Sequence, residues 1–119
     1  MANHNDKGIL GEELACNFLV KKGYSILERN WRYKKAEIDI IAMKDDVLIF
    51  IEVKTRKNAN FGNPEEFVSE KKQKFMLEAA PIYMEKINHE WEIRFDIIGI
   101  VLRESVTLDI VHIEDAFYN

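Results

Sequence analysis

The sequence predicts one α/β or α+β domain, a single sheet with helices packed on it. Two observations carry this. The elements run in the order α-β-β-β-α-β-β without a repeat, low-complexity tract or linker, and the 119 residues are 47% apolar and 32% charged, enough to bury a core.

The first helix is expected over residues 7–22, where Leu10, Leu14 and Phe18 recur at helical spacing and Gly23 is placed to cap the end. Tyr24 to Trp31 reads as a short strand, and Glu37 to Ala42 begins with the polar–apolar alternation of another. Lys44, Asp45 and Asp46 form a turn. Val47 to Val53, β-branched and aromatic, is a buried central strand that closes a hairpin with the strand before it. Beyond Thr55 the composition shifts to Lys, Asn, Gly and Pro, and Phe61-Gly62-Asn63-Pro64 marks a loop of about ten residues. Helical spacing returns from Glu65 to about Lys86 through Phe67, Phe75, Leu77, Ala79 and Tyr83, with Pro81 expected to kink or divide the helix. Trp91 to Leu102 and Val106 to Ile113 are two further strands, joined at Arg103, Glu104 and Ser105. Residues 1–119 thus read as one domain, with 1–6 as a flexible N-terminus.

Cys16 is the only cysteine, which excludes an internal disulfide and a multi-cysteine zinc site and points to a reducing compartment, the cytoplasm by default. The first residues have neither a basic stretch nor an apolar one, and no window approaches the ~18 apolar residues of a membrane span, so neither secretion nor insertion is expected. Three histidines, His4, His89 and His112, show no ligand spacing. The net charge of −4 argues against binding a polyanion by bulk charge. That average hides a partition: residues 1–74 hold 14 of the 17 basic side chains and 12 of the 21 acidic ones, leaving the remaining segment strongly acidic. The basic clusters are Lys21 and Lys22; Arg29, Arg32, Lys34 and Lys35; Lys54, Arg56 and Lys57; and Lys71, Lys72 and Lys74. Trp31, Tyr33, Phe61 and Trp91 are aromatic side chains with the capacity to stack on bases, although core packing is the commoner fate.

The chemistry centres on Asp39 and on Glu52-Val53-Lys54. Residues i and i+2 of a strand share a face, so Glu52 and Lys54 project together from an otherwise apolar segment. Burying such charges is costly, which leaves an exposed edge, an internal ion pair or a site. A hairpin turning at residues 44–46 brings the Asp39 carboxylate towards Glu52, and two adjacent carboxylates repel unless a cation lies between them. Hard oxygen ligands of this kind suit magnesium or manganese, and a nearby lysine positions a water and offsets phosphate charge. Asp, Glu and Lys are therefore a minimal set for metal-assisted phosphodiester hydrolysis. In the first helix, at ~100° per residue, Glu12 falls among apolar neighbours and Glu13 at the polar margin, so Glu12 is the candidate ligand or base. Asp96, between Phe95 and Ile97, reads as structural rather than catalytic.

Gly11-Glu12-x-x-Ala15, Gly23-Tyr24, Arg29-Asn30-Trp31-Arg32, Glu37-Ile38-Asp39-Ile40-Ile41-Ala42, Phe50-Ile51-Glu52-Val53-Lys54-Thr55-Arg56, Phe61-Gly62-Asn63-Pro64 and Arg94-Phe95-Asp96 together resemble the bacterial YraN-type family of uncharacterised proteins, over nearly the whole chain. That family is similar in turn to PD-(D/E)xK nucleases and archaeal Holliday-junction resolvases. The resemblance implies a restriction-endonuclease-like domain, with a mixed central sheet of about five strands flanked by helices. It implies that Asp39 and Glu52 bind Mg2+ or Mn2+, that Lys54 is the catalytic lysine, that Glu12 completes the cluster and that Glu37 stands behind it. Ala36 occupies a position where the family usually has glycine. The expected activity is metal-dependent endonucleolytic cleavage of DNA, with branched or structured DNA as candidate substrate. Arg29, Arg32, Lys34, Lys35, Arg56, Lys57, Lys71 and Lys72 would hold the backbone. A homodimer would fit two-strand cutting, and a protein partner is an alternative source of specificity. The competing expectations are a nucleic-acid-binding module without turnover of its own and, last, a protein-interaction domain using the acidic C-terminal half.

Overall fold

The computed structural model describes residues 4–56, 68–104 and 106–117. Among the described residues, two helices and five strands follow in the predicted order: α1 (His4–Lys21), β1 (Ser25–Tyr33), β2 (Ala36–Lys44), β3 (Val47–Arg56), α2 (Glu70–Lys86), β4 (Ile93–Arg103) and β5 (Val106–Ile113). Lys57, the Phe61–Pro64 loop and the Glu65–Phe67 start expected for the second helix lie outside the described residues. Among those described, no helix is long and apolar enough to cross a membrane.

The strands form one sheet in the order β1-β2-β3-β4-β5. β3 and β4 are parallel, joined by the crossover that contains α2, and the other neighbours are antiparallel. This is the mixed five-stranded sheet with flanking helices that the family resemblance implies. Asp45 and Asp46 both take positive φ, at 50° and 65°, the signature of a type I′ hairpin whose twist matches the strands it joins.

Among the described residues, each face of the sheet buries one helix. On one side Met76, Ala79, Ala80 and Tyr83 of α2 pack against Ile38, Ile41, Leu48, Phe50, Phe95 and Ile97. Phe95 lies stacked between Phe50 and Phe117, with centroids 5.4 and 5.2 Å away, and Tyr83 meets Phe50 edge-on. On the other side Ala15 and Leu19 of α1 cover Ile40, Ala42, Ile49, Ile51, Ile98 and Ile100. A Cβ added at Gly11 would run into the Thr55 hydroxyl, so glycine lets the helix approach β3 closely.

α2 runs unbroken through Pro81, contrary to a division of the helix there. Pro81 is exposed while Ala79, Ala80 and Tyr83 around it are buried, so packing on the sheet holds the helix across the missing N–H. Its start is fixed by Ser69, whose Oγ accepts a hydrogen bond from the Lys72 backbone N–H at 3.1 Å.

Candidate functional site

The β2–β3 ladder runs from Lys44↔Val47 to Ile40↔Ile51 and stops. The next partners in that register are Asp39 and Glu52. Beyond them β2 stays paired with β1 and β3 with β4, so the sheet forks at these two residues. The fork has a local cause. Ile38 packs on the α2 side and Ile40 on the α1 side, although residues two apart in a regular strand share a face. β2 therefore changes phase at Asp39. In β1, Asn30 stands at the matching point between the pairs Trp31↔Ile38 and Arg29↔Ile40, and takes a φ of 52°. Asparagine tolerates that left-handed conformation far better than the β-branched residues usual in strands.

Asp39 replaces the missing ladder bond with its side chain: its Oδ2 accepts from the Val53 backbone N–H at 2.8 Å. Glu52, on the α2 face of β3, is 1% exposed. The two carboxyl groups meet within hydrogen-bonding reach, but both are acceptors unless one holds a proton, and among the described residues Glu52 Oε1 has no partner. Burial above all, then Asp39, pushes the Glu52 carboxyl up to about 8, with Lys72 pulling it back.

Two lysines answer this negative charge. Lys54, two residues along β3 on the same face, has Nζ 4.0 Å from Glu52 Oε2. Lys72, held in the first turn of α2 by the Ser69 cap, makes a direct ion pair with the same oxygen. A cation in the first turn of a helix opposes the helix dipole, and Glu52 supplies the compensation. Burial works to lower the Lys72 pKa, and the carboxylates of Glu52, Asp39 and Glu37 outweigh it and raise it. The sequence gives Lys72 to phosphate contacts. The fold places it in the carboxylate cluster, half-buried.

Glu12 is half-buried and Glu13 exposed, as the helical wheel predicts. The Glu12 carboxyl is raised by burial first and by Asp39 next, and is lowered by a hydrogen bond with Asn30 and by Arg29. It thus lies within electrostatic reach of the fork. Among the described residues, however, no three His, Cys, Asp or Glu side chains stand close enough to hold one metal ion. Asp39 and Glu52 form a pair, with Glu12 outside it. Glu37, two residues before Asp39, bonds Arg32 across the β1–β2 register at 2.8 Å.

The other basic candidates gather at the same end of the sheet. Arg29 and Arg32 lie exposed on β1 beside the fork, Lys34 and Lys35 at the β1–β2 turn, Arg56 at the end of β3, and Lys71 next to Lys72. Asp96 belongs to a separate structural cluster. Its carboxylate accepts from Arg94 through two nitrogens at 2.8 and 2.9 Å and from the Asp115 backbone N–H at 2.9 Å, and it lies 2.8 Å from His112 Nε2. Burial would raise Asp96; these partners hold it below the usual carboxylate range. Arg94 also bonds the Tyr24 hydroxyl, which ties the start of β1 to β4. Sequence reasoning missed Asn30, whose signal was a turn-favouring residue within a strand. It also missed the partners of Asp96, which come from segments far apart in the chain.

The model of the uncharacterised protein family UPF0102 matches residues 11–100. A UPF0102 protein, FP2501, of Flavobacterium psychrophilum is 50% identical over 119 residues, covering 100% of this chain and 99% of its own. UPF0102 proteins of Phocaeicola vulgatus and Clostridioides difficile are 48% and 47% identical, covering 99% and 97% of this chain and 97% and 99% of theirs. With matches of this extent, the chain belongs to the uncharacterised YraN-type family UPF0102.

Proposed function

We propose that the protein is a metal-dependent endonuclease acting on DNA phosphodiester bonds, with branched or structured DNA among its substrates. The observation that carries this is the fork itself: two buried carboxyl groups face each other where the ladder opens, one with an oxygen lacking any described partner, and two lysines lean on them. The donor set suits Mg2+ or Mn2+, because such ions keep several waters and need only one or two carboxylates from the protein. Asp39 and Glu52 would hold the ion, which would supply Lewis-acid activation of the phosphodiester.

The chain's own residues divide the remaining work. The Val53 N–H fixes the orientation of Asp39. Lys54 offsets phosphate charge and orients the attacking water, and Glu12, with its carboxyl raised, acts from α1 as a base. Lys72 pairs with Glu52, and with an ion held there it would be free to contact the substrate backbone. Arg29, Arg32, Lys34, Lys35, Arg56 and Lys71 hold phosphates at the same end of the sheet, together with Lys57.

The test is incubation with linear duplex, single-stranded and four-way-junction DNA in Mg2+ or Mn2+. Cleavage should fall at least ~100-fold in Asp39→Asn, Glu52→Gln and Lys54→Ala. No cleavage of any substrate, or undiminished cleavage by these variants, refutes the reading. The direct Lys72–Glu52 pair favours one alternative, a binding module that keeps the fold without turnover and uses Lys72 in place of an ion. Salt-sensitive DNA binding indifferent to metal and to Glu52→Gln would identify it.

A further inference from the structure

Beside the fork lies a recess of about 200 Å3, lined by Tyr33, Lys34, Lys35, Ala36, Phe75 and Glu78. Its walls are aromatic. Tyr33 and Phe75 sit half-buried at the margin of the α2-side core, and Trp31 lies parallel to Tyr33, with centroids 6.3 Å apart and planes 8° apart. Its rim is cationic. The Lys34 ammonium lies 5.4 Å from the Tyr33 centroid and the Lys71 ammonium 6.0 Å from that of Phe75. Among the described residues, no carboxylate forms an ion pair with Lys34, Lys35 or Lys71. Flat apolar walls under cations that no described carboxylate neutralises fit a ligand that is itself a flat ring attached to an anion.

The recess shares two elements with the carboxylate pair. Ala36 precedes Asp39 by three residues of β2, or ~10 Å. Phe75 follows Lys72 by three residues of α2, just under one turn and ~4.5 Å along the axis. A strand with one phosphate at the fork would present the base of a neighbouring nucleotide at the recess. A base within a stacked duplex is shielded on both faces, so only an unpaired base enters. Glu78 on the wall is a carboxylate acceptor for an exocyclic amine.

We propose that the Tyr33–Phe75 recess is a stacking pocket for one unpaired DNA base, with Lys34, Lys35 and Lys71 on the adjoining phosphates. Its adjacency to the cleavage centre rests on the nuclease reading, and its binding does not. It makes the substrate a DNA containing unpaired bases, such as a single strand or the branch point of a junction.

The experiment measures binding by fluorescence anisotropy in EDTA, where no cleavage occurs, using a labelled single-stranded oligonucleotide and the same strand annealed to its complement. Wild type should prefer the single strand. Tyr33→Ala should lose about tenfold on the single strand and almost nothing on the duplex, and Tyr33→Phe, which keeps the ring, should bind as wild type. An abasic site moved along the single strand tests the same contact with the wild-type protein, so a folding defect in Tyr33→Ala cannot obscure the answer. One position should cost about tenfold. Equal affinity for paired and unpaired DNA, or an abasic scan flat at every position, overturns the pocket. Cleavage that depends on Asp39 and Lys54 alongside a flat scan removes the pocket and keeps the nuclease. A positive scan without cleavage in Mn2+ does the reverse.

Discussion

Glu52 gives the metal-free protein a stability that falls as pH rises. In the unfolded chain its carboxyl returns to the ordinary 4.5, whereas in the folded chain burial, then Asp39, pushes it up to about 8. Between those values the folded state holds a proton that the unfolded state has released, so each step upward in pH favours unfolding. The contribution is fully present below 4.5 and is lost through about 8. At ~1.4 kcal/mol per pH unit, that interval amounts to roughly 3–5 kcal/mol, a large share of the ~5–15 kcal/mol that holds a typical domain together. The assay is urea unfolding in EDTA between pH 5 and 8.5, comparing wild type with Glu52→Gln. The glutamine carries no charge at any pH, so its profile should lack this slope. Parallel profiles would refute the account of Glu52 as a buried, proton-holding partner of Asp39.

Two further outcomes follow from the same electrostatics. Lys72→Met leaves ionised Glu52 without its direct counter-ion and should lower stability by about 1–3 kcal/mol at pH 8. That is less than the ~3–5 kcal/mol of a fully buried pair, because the lysine side chain is 36% exposed, and the loss should shrink at pH 5, as urea midpoints at both values would show. Asp96→Asn should cost about 3–5 kcal/mol at neutral pH, since it strips the buried Arg94 contact of its charge. Asp96 is held below its ordinary 3.8, so its contribution is present above that value and is lost as pH falls through its folded value. Acid titration should therefore find wild type and variant converging.

Much of the framework is legible in the sequence because it depends on local periodicity. The helical wheel separates inward Glu12 from outward Glu13, strand parity puts Glu52 and Lys54 on one face, and apolar neighbours mark Asp96 as interior. The order of elements and the turn at Lys44, Asp45 and Asp46 are of the same kind, as is the apolar run Val47–Val53. Helix limits are less so. Pro81 reads as a breaker by its own chemistry, yet the helix survives because its buried neighbours are held by the sheet.

Taken alone, the sequence determined which side chains carry charge into an apolar strand and, along β3, which face Glu52 and Lys54 would share, since both follow from bonds to immediate neighbours. Only the tertiary structure decided that the sheet forks at Asp39 and Glu52, that Asn30 makes the kink opposite, and that Lys72, 20 residues beyond Glu52, pairs with it. Only it gathers Tyr33 and Phe75 around one recess. The physical reason is that ladder termination, ion pairing and cavity shape are set by register and by helix docking between distant segments. A one-residue slip in either would separate these groups while leaving every local pattern unchanged.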